Sequence, residues 1–350
     1  MTHSTIKTGL IGFGLSGRIF HAPFILDHPD FQLTAVNSRQ AEAVAELAPE
    51  ARVVASAEAL LADDDLDLIV ITAPNALHFP LAEAALLAGK HVLLEKPSVT
   101  ELAQMETLAT LAQRQGKVLT VYQNRRFDGD FQILRELVSN GSLGSLKHLD
   151  TRFDRFRPTP QQRWREQPGV GTGIFWDLGP HILDQVLHLL GTPQRLNATL
   201  RTLRDGGTTT DWFEVQLDYG DKVVHLGSTP FEAGPMRRFA ARFEGGSWHA
   251  WGLDPQEAAL RAGQMPWHPD YPSQGAAQTA DLSDAQGTQS QALASGHYRA
   301  FYQQLADAIH GRGPAPVSLA DACQLVYGLQ LAEQSSAEGR WLDWQYQPTF

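Results

Sequence analysis

The sequence predicts an α/β protein in two parts: a doubly wound parallel sheet, then an α+β unit on an open, mainly antiparallel sheet. Three observations carry this. From residue 6 to about 123, short apolar runs alternate with helical stretches, the pattern of parallel strands joined by crossover helices. The first of these runs leads straight into Gly12-Phe13-Gly14-Leu15-Ser16-Gly17, which fits G-x-G-x-x-G at the start of a helix. Beyond residue 124 the texture changes to longer two-residue alternation, which suits an antiparallel sheet with helices on one face.

Taken in order, the first strand is expected at Lys7–Ile11 and feeds a helix over Ser16–Asp27. Between them Gly12 permits the tight turn, Gly14 lets a pyrophosphate approach the backbone, and Gly17 lets the helix pack closely on the strand. The dipole and free N–H groups at that helix start favour phosphate. Strands at Gln32–Asn37, Arg52–Ala55, Asp67–Thr72, His91–Glu95 and Val118–Gln123 follow, with helices at Ala41–Leu47, Leu77–Ala88 and Glu101–Gln115. Six such strands fit a Rossmann domain over residues 1–123, with its dinucleotide at the carboxyl ends of the strands. Residues 124–350 are expected to hold the substrate and to self-associate. Their predicted elements are a helix at Phe131–Val138, strands at Thr151–Phe156, Ala198–Leu203, Phe213–Leu217 and Val223–Leu226, helices at Tyr298–Ile309 and Leu319–Glu333, and a last strand around Trp341–Tyr346. Met265 to about Ser295, rich in Gln, Ser, Ala, Pro and Asp, reads as a long surface excursion or an oligomer arm.

Composition narrows the function. A chain of 350 residues, 43% hydrophobic and 19% charged, can bury two cores. The net charge of −11 argues against nucleic acid as a partner. The single cysteine, Cys323, excludes an intramolecular disulfide and a cysteine-based zinc cluster, and suits a reducing compartment. Met1-Thr2-His3-Ser4 has no basic flank or long apolar run, and no stretch is apolar over some 18 residues, so a cytoplasmic protein with no membrane partner is expected.

The second strand ends at Asn37-Ser38-Arg39, where an NAD-binding chain would place a carboxylate for the ribose 2′-hydroxyl. Ser38 and Arg39 instead suit a 2′-phosphate, so NADP is expected ahead of NAD. Later strand ends carry Thr72-Ala73-Pro74-Asn75-Ala76-Leu77-His78 and Glu95-Lys96-Pro97. In the second half, Asp177, His181 and Asp184 are spaced i, i+4, i+7, one stripe of a helix, while Leu183, Val186, Leu187 and Leu190 would face the core. His188 extends the stripe, but one stripe does not close a coordination shell, and no metal is expected.

These motifs together resemble the Gfo/Idh/MocA family of dehydrogenases, in which P-N-x-x-H and E-K-P follow successive strands. The resemblance spans nearly the whole chain. It narrows to NADP-dependent scyllo-inositol dehydrogenases and their relatives on Gln123-Asn124-Arg125-Arg126-Phe127-Asp128, Arg157-Pro158 and Gln162-Arg163-Trp164-Arg165-Glu166. It implies that Lys96, Asp177 and His181 surround the reacting carbon. Cofactor contacts are then expected from Gly12, Phe13, Gly14, Ser16, Gly17, Ser38, Arg39, Thr72, Pro74, Asn75, His78, Glu95 and Lys96. Asn124, Arg126, Arg157, Arg163, Trp164 and Asp184 are expected to bind a small polyol or sugar.

Oxidising a secondary alcohol needs a base beside the carbinol and a cation for the developing negative charge. His181 fits the base and Lys96 the cation, with Asp177 orienting the hydroxyl or the imidazole; Lys96 as proton acceptor is the alternative. Two other functions stay open: a glycosidase that uses a retained cofactor transiently, and a non-catalytic NADP(H) sensor. A homo-oligomer, dimer or tetramer, is expected through the second sheet if its open face is apolar.

Overall fold

The computed structural model describes residues 5–272 and 278–350. Its first sheet contains β1 (Ile6–Ile11), β2 (Phe31–Asn37), β3 (Arg52–Val54), β4 (Leu68–Ile71), β5 (His91–Leu94) and β6 (Leu119–Val121). The order is β3-β2-β1-β4-β5-β6 with every neighbour parallel, so the strand order reverses between β1 and β4. That is a doubly wound Rossmann sheet, and its reversal point is where such sheets open a ligand crevice. β4, Leu-Ile-Val-Ile, is buried throughout, as a central strand covered on both faces must be. Helices α1 (Ala22–Asp27), α2 (Ala41–Leu47), α3 (Ala57–Leu61), α4 (His78–Leu87) and α5 (Leu102–Gln115) lie between the strands. The helix expected at Ser16–Asp27 opens with a π-helical stretch, Gly17–His21, in which the Ala22 N–H reaches the Gly17 carbonyl. Pro23 follows at once and has no N–H for the Ile19 carbonyl, a local reason for the wider turn.

The second sheet is mixed. After α6 (Gly129–Asn140) come β7 (Leu146–Arg152), α7 (Gly173–Leu190), β8 (Arg195–Arg201), β9 (Trp212–Asp218), β10 (Val223–Ser228), β11 (Arg237–Phe243), β12 (Ser247–Trp251) and α8 (Pro255–Arg261). β13 (Thr279–Asp284), β14 (Gly287–Ala292), α9 (Arg299–Ile309), α10 (Leu319–Glu338) and β15 (Leu342–Asp343) complete the chain. Among the described residues the sheet order is β14-β13-β12-β11-β7-β10-β9-β8-β15, antiparallel except for β7 beside β10. Side chains of α7 and α10 join the inner-face residues of these strands in one core.

Four expectations change. The strand expected at Thr151–Phe156 begins at Leu146, because Leu149 and Thr151 face inward while His148 and Asp150 face outward. Residues 153–157 continue as an extended arm bonded to the end of β10 and the segment after it, Phe153 N–H to Gly227 O at 3.1 Å and Arg155 N–H to Thr229 O at 3.0 Å. The excursion over 265–295 contains the β13–β14 hairpin at the sheet edge; β14 is exposed along its length and polar, so no apolar periodicity betrays it. Its residues 273–277 lie outside the described residues. Finally, the core of the first sheet reaches well past residue 123, taking in Tyr298, Phe301, Tyr302, Leu305 and Val326 from α9 and α10.

Candidate active site

The glycine loop sits where β1 and β4 end together. Thr72 closes β4 and binds across the gap: its N–H donates to Ile11 O at 2.9 Å, and its hydroxyl donates to the Ile11 and Gly12 carbonyls at 3.0 Å each. Gly12 has φ +93°, and a Cβ there would lie 2.7 Å from Thr72 Oγ1; a Cβ on Gly17 would lie 2.4 Å from the Gly12 carbonyl oxygen. Around Gly14, by contrast, nothing lies within 4 Å of where a Cβ would be. Two glycines therefore exist for close packing and the third for an open approach, beside a helix whose first N–H groups lack intrahelical partners. This arrangement fits a dinucleotide pyrophosphate. Phe13 is buried in the core, so only its backbone can serve a ligand.

At the end of β2, Ser38 is half-buried and its Oγ accepts from the Gln40 N–H at 2.9 Å, forming a turn that leaves Arg39 exposed with no partner among the described residues. A free guanidinium beside a serine turn can take a phosphate.

The third group is assembled across the two parts of the molecule. Lys96 Nζ, on the loop after β5, donates to the Asp177 carbonyl at 2.8 Å and to Asp177 Oδ1 at 3.2 Å. Pro180 inside α7 lacks an N–H and loosens the helix at this turn. Burial favours a neutral Asp177, but Lys96, Arg165 and Arg155 outweigh it and hold the carboxyl far below the usual carboxylate range. Arg165 Nε stands 3.5 Å from the same Oδ1. One turn on, His181 is buried and its Nδ1 has no hydrogen-bond partner. Burial, then the positive charges of Lys96, Arg125, Arg238 and Arg155, push the imidazole well below its ordinary value, so it is neutral. Asp177 is thus occupied by Lys96 and Arg165, and makes no hydrogen bond to His181; its expected role of orienting the imidazole is not seen.

Several expected contacts turn out to be structural. Asp184 is buried and receives Arg126 in a two-pronged pair, Nε to Oδ2 at 2.8 Å and Nη2 to Oδ1 at 2.7 Å, and Arg126 Nη1 also reaches Asp321 of α10 at 3.0 Å. Both were expected to face substrate; each is spent joining α7, the loop after β6 and α10. His78 is buried with Nδ1 2.8 Å from Pro97 O and Nε2 2.8 Å from Ala73 O, so it braces two loops of the cofactor crevice and has no nitrogen left for a ligand. Asn75 Nδ2 donates to Gly171 O at 2.9 Å, tying the loop after Pro74 to the start of α7. Arg163 pairs with Glu166 at 2.8 Å, and Glu166 also meets Arg204 at 3.1 Å. Trp164 is exposed, with the Arg165 guanidinium 4.7 Å from its ring. Asn124 and Arg157 make no side-chain bond within the described residues.

Glu95, expected as a cofactor contact, is engaged instead by residues that include two the sequence did not single out, His21 and Tyr302. Glu95, behind Lys96, accepts from the Ser16 hydroxyl, from the Lys96 N–H at 2.7 Å and from His21 Nε2 at 3.1 Å, and His21 Nδ1 meets Tyr302 OH at 2.8 Å. Burial alone would raise the Glu95 carboxyl, but His21 and Lys96 bring it down to about 2. This buried chain links α9 to the glycine loop and to the lysine. His21 carried no sequence signal, because its partners come from residues as distant as 302. Arg155 and Arg165 lay beside the residues expected to contact substrate without being distinguished from them.

Comparison with known proteins supports the assignment. A model of the GFO_IDH_MocA oxidoreductase family with NAD-binding Rossmann fold matches residues 6–123, and one of the GFO/IDH/MocA C-terminal domain matches residues 131–249. The chain is 38% identical to the uncharacterized oxidoreductase YdgJ of Escherichia coli (strain K12), covering 95% of this chain and 96% of that protein. It is 35% identical to the scyllo-inositol 2-dehydrogenase (NADP(+)) IolW of Bacillus subtilis (strain 168), covering 96% and 95%. The solved structure of yvaA from Bacillus subtilis superposes with a TM-score of 0.92 at 32% identity, over 99% of this chain and 100% of that one.

Proposed function

The chain belongs to the Gfo/Idh/MocA family of NAD(P)-binding oxidoreductases, and from that premise we propose that it transfers hydride between NADP(H) and a secondary alcohol or ketone of a polyol or sugar, with scyllo-inositol the first candidate. The carrying observation is the meeting of Lys96, Asp177 and a neutral His181 from the two parts of the molecule, at the crevice that the glycine loop opens. When bound, the nicotinamide supplies the hydride acceptor or donor. His181, neutral and with Nδ1 unpartnered, takes the hydroxyl proton; Lys96, fixed by Asp177, supports negative charge on the substrate oxygen. Lys96 as proton acceptor remains the alternative assignment. Gly12, Gly14, Ser16 and Gly17 hold the pyrophosphate region, Thr72, Pro74, Asn75 and Glu95 shape the adjoining walls, and Ser38 with Arg39 favours the 2′-phosphate. The NADP(+) dependence of IolW supports that preference. Asn124, Arg157 and Trp164 remain as substrate contacts.

Purified protein mixed with NADP⁺ or NAD⁺ and a panel of inositols and aldoses tests this reading through net nicotinamide reduction. NADPH formation with an inositol, lost with His181→Ala, is the expected result. Turnover of glycosides with no net NADPH points to a cofactor-retaining glycosidase, and tight NADPH binding with no turnover to a sensor; either outcome contradicts the proposal.

A further inference from the structure

The cations around the site outnumber the carboxylates paired with them among the described residues. Lys96 and Arg165 share Asp177, at 3.2 and 3.5 Å. Arg125 is met by Asp128 at 3.2 Å and by Glu257. Arg238 is fully buried, hydrogen-bonded to Thr151 Oγ1 at 2.6 Å and to Gln185, with no carboxylate in ion-pair contact. Arg155 and Arg157 make no side-chain hydrogen bond or ion pair within the described residues.

Arg155 stands apart from the protein's exposed arginines. It is half-buried on the extended arm that continues β7, held by its own N–H to Thr229 O at 3.0 Å and, two residues on, by Arg157 N–H to Pro230 O at 2.7 Å. Residues i and i+2 of an extended segment share a side, so the two guanidinia project together, while Phe156 between them bridges to Phe231. The Arg155 guanidinium lies 5.9 Å from the Phe153 ring, whose other neighbours are Arg125 and Arg238. Gln185, one turn beyond His181 on α7, bonds both Arg238 and the Arg125 carbonyl, which sets the Phe153 ring and the Arg155 guanidinium beside the site, where its charge also reaches Asp177 and His181. A partly desolvated guanidinium without a partner is costly unless a ligand supplies one. Its planar fork matches the two oxygens of a carboxylate or phosphate. The chain as a whole carries −11, so this local excess of positive charge runs against the protein's field.

We propose that this site favours polyols or sugars that carry an oxyanion group, held by Arg155 with Arg157 beside the Lys96, Asp177 and His181 centre, over neutral ones such as scyllo-inositol, which react without that contact. This rests on the hydride-transfer reading for the reaction and adds to it the charge of the substrate.

Glucose, glucuronate and glucose 6-phosphate, one sugar in neutral, carboxylate and phosphate form, test it on the intact protein in two ways. In NADP⁺ reduction, at least one anionic form should exceed glucose in kcat/KM by about 10-fold or more, the worth of one charge-assisted hydrogen bond. Arg155→Gln should collapse that ratio and Arg155→Lys should restore part of it; which anion responds tells carboxylate from phosphate. In the second arm the same probes are titrated into the NADPH complex and followed by nicotinamide fluorescence, so that binding is read even if none is oxidised. Tighter binding of an anionic form that disappears in Arg155→Gln, at unchanged NADPH affinity and Tm, supports the anion site, and does so even where hydride transfer fails. Glucose binding and reacting as well as both anions, with ratios unmoved by Arg155→Gln, overturns it.

Discussion

His181 is a histidine in the middle of a helix whose Nδ1 has no hydrogen-bond partner among the described residues, in a ring of Lys96, Arg125, Arg155 and Arg238 charge. Its depressed pKa has a direct kinetic consequence. The imidazole stays unprotonated as the pH falls through the ordinary histidine value, so kcat/KM for alcohol oxidation should hold level between about pH 8 and about pH 6. An acid limb with an apparent pKa of about 6.5 contradicts a buried, neutral base. Asp184, three residues along the same stripe, behaves differently because Arg126 already fills both of its oxygens. Asp184→Asn should cost about 3–5 kcal/mol in urea unfolding, since it strands a buried guanidinium. KM for the polyol should stay within about twofold, because no contact to substrate is removed. A large rise in KM at unchanged stability would return Asp184 to the substrate contacts. The i, i+4, i+7 spacing correctly placed three polar residues on one side of α7, but spacing cannot say which of them a distant arginine has claimed.

At the scale of elements, the proposed cofactor specificity rests on a strand end. The turn at Ser38 exposes Arg39 just past β2. Arg39→Ala is expected to raise KM for NADP⁺ by about 10-fold or more, the loss of one charge-assisted hydrogen bond, and to leave KM for NAD⁺ nearly unchanged. Equal effects on both cofactors contradict the 2′-phosphate reading. Most of the parallel strands were legible because buried runs such as Leu68–Ile71 are continuous and apolar, and because β1, β2, β4, β5 and β6 each end in a motif with its own chemistry. Elements without those signals were not: α3 is only five residues long, and β14, the outer strand of its hairpin, is Gly-Thr-Gln-Ser-Gln-Ala on an exposed edge. The Tyr302, His21 and Glu95 chain was equally hidden, since it joins an α9 tyrosine to the first helix across 281 positions.

For the whole molecule, two cores meet along α10, which contributes Ala322, Cys323 and Val326 to one and Leu325, Leu329 and Ala332 to the other. The proposed reacting groups lie on this seam, Lys96 from one part and Asp177 from the other. The outer face of the second sheet is not the apolar surface expected of an oligomer contact. It presents His148, Asp150, His225 and Arg242, with Arg242 Nη1 2.6 Å from Asp150 Oδ2 and His148 Nε2 3.2 Å from Asp150 Oδ1. Self-association through this face, which we propose, is therefore polar and salt-sensitive. Light scattering should show a dimer or tetramer at low salt that dissociates in high salt or in Arg242→Glu. A monomer under all conditions removes the proposal. The central claim, that this seam moves hydride between NADP(H) and a carbinol carbon, is tested most directly by mass spectrometry of the nicotinamide after one turnover with scyllo-inositol deuterated at carbon. The account predicts deuterium on the NADPH with wild-type protein and a rate lowered by about 10²–10⁴ in His181→Ala; unlabelled NADPH, with deuterium released to water, would contradict it.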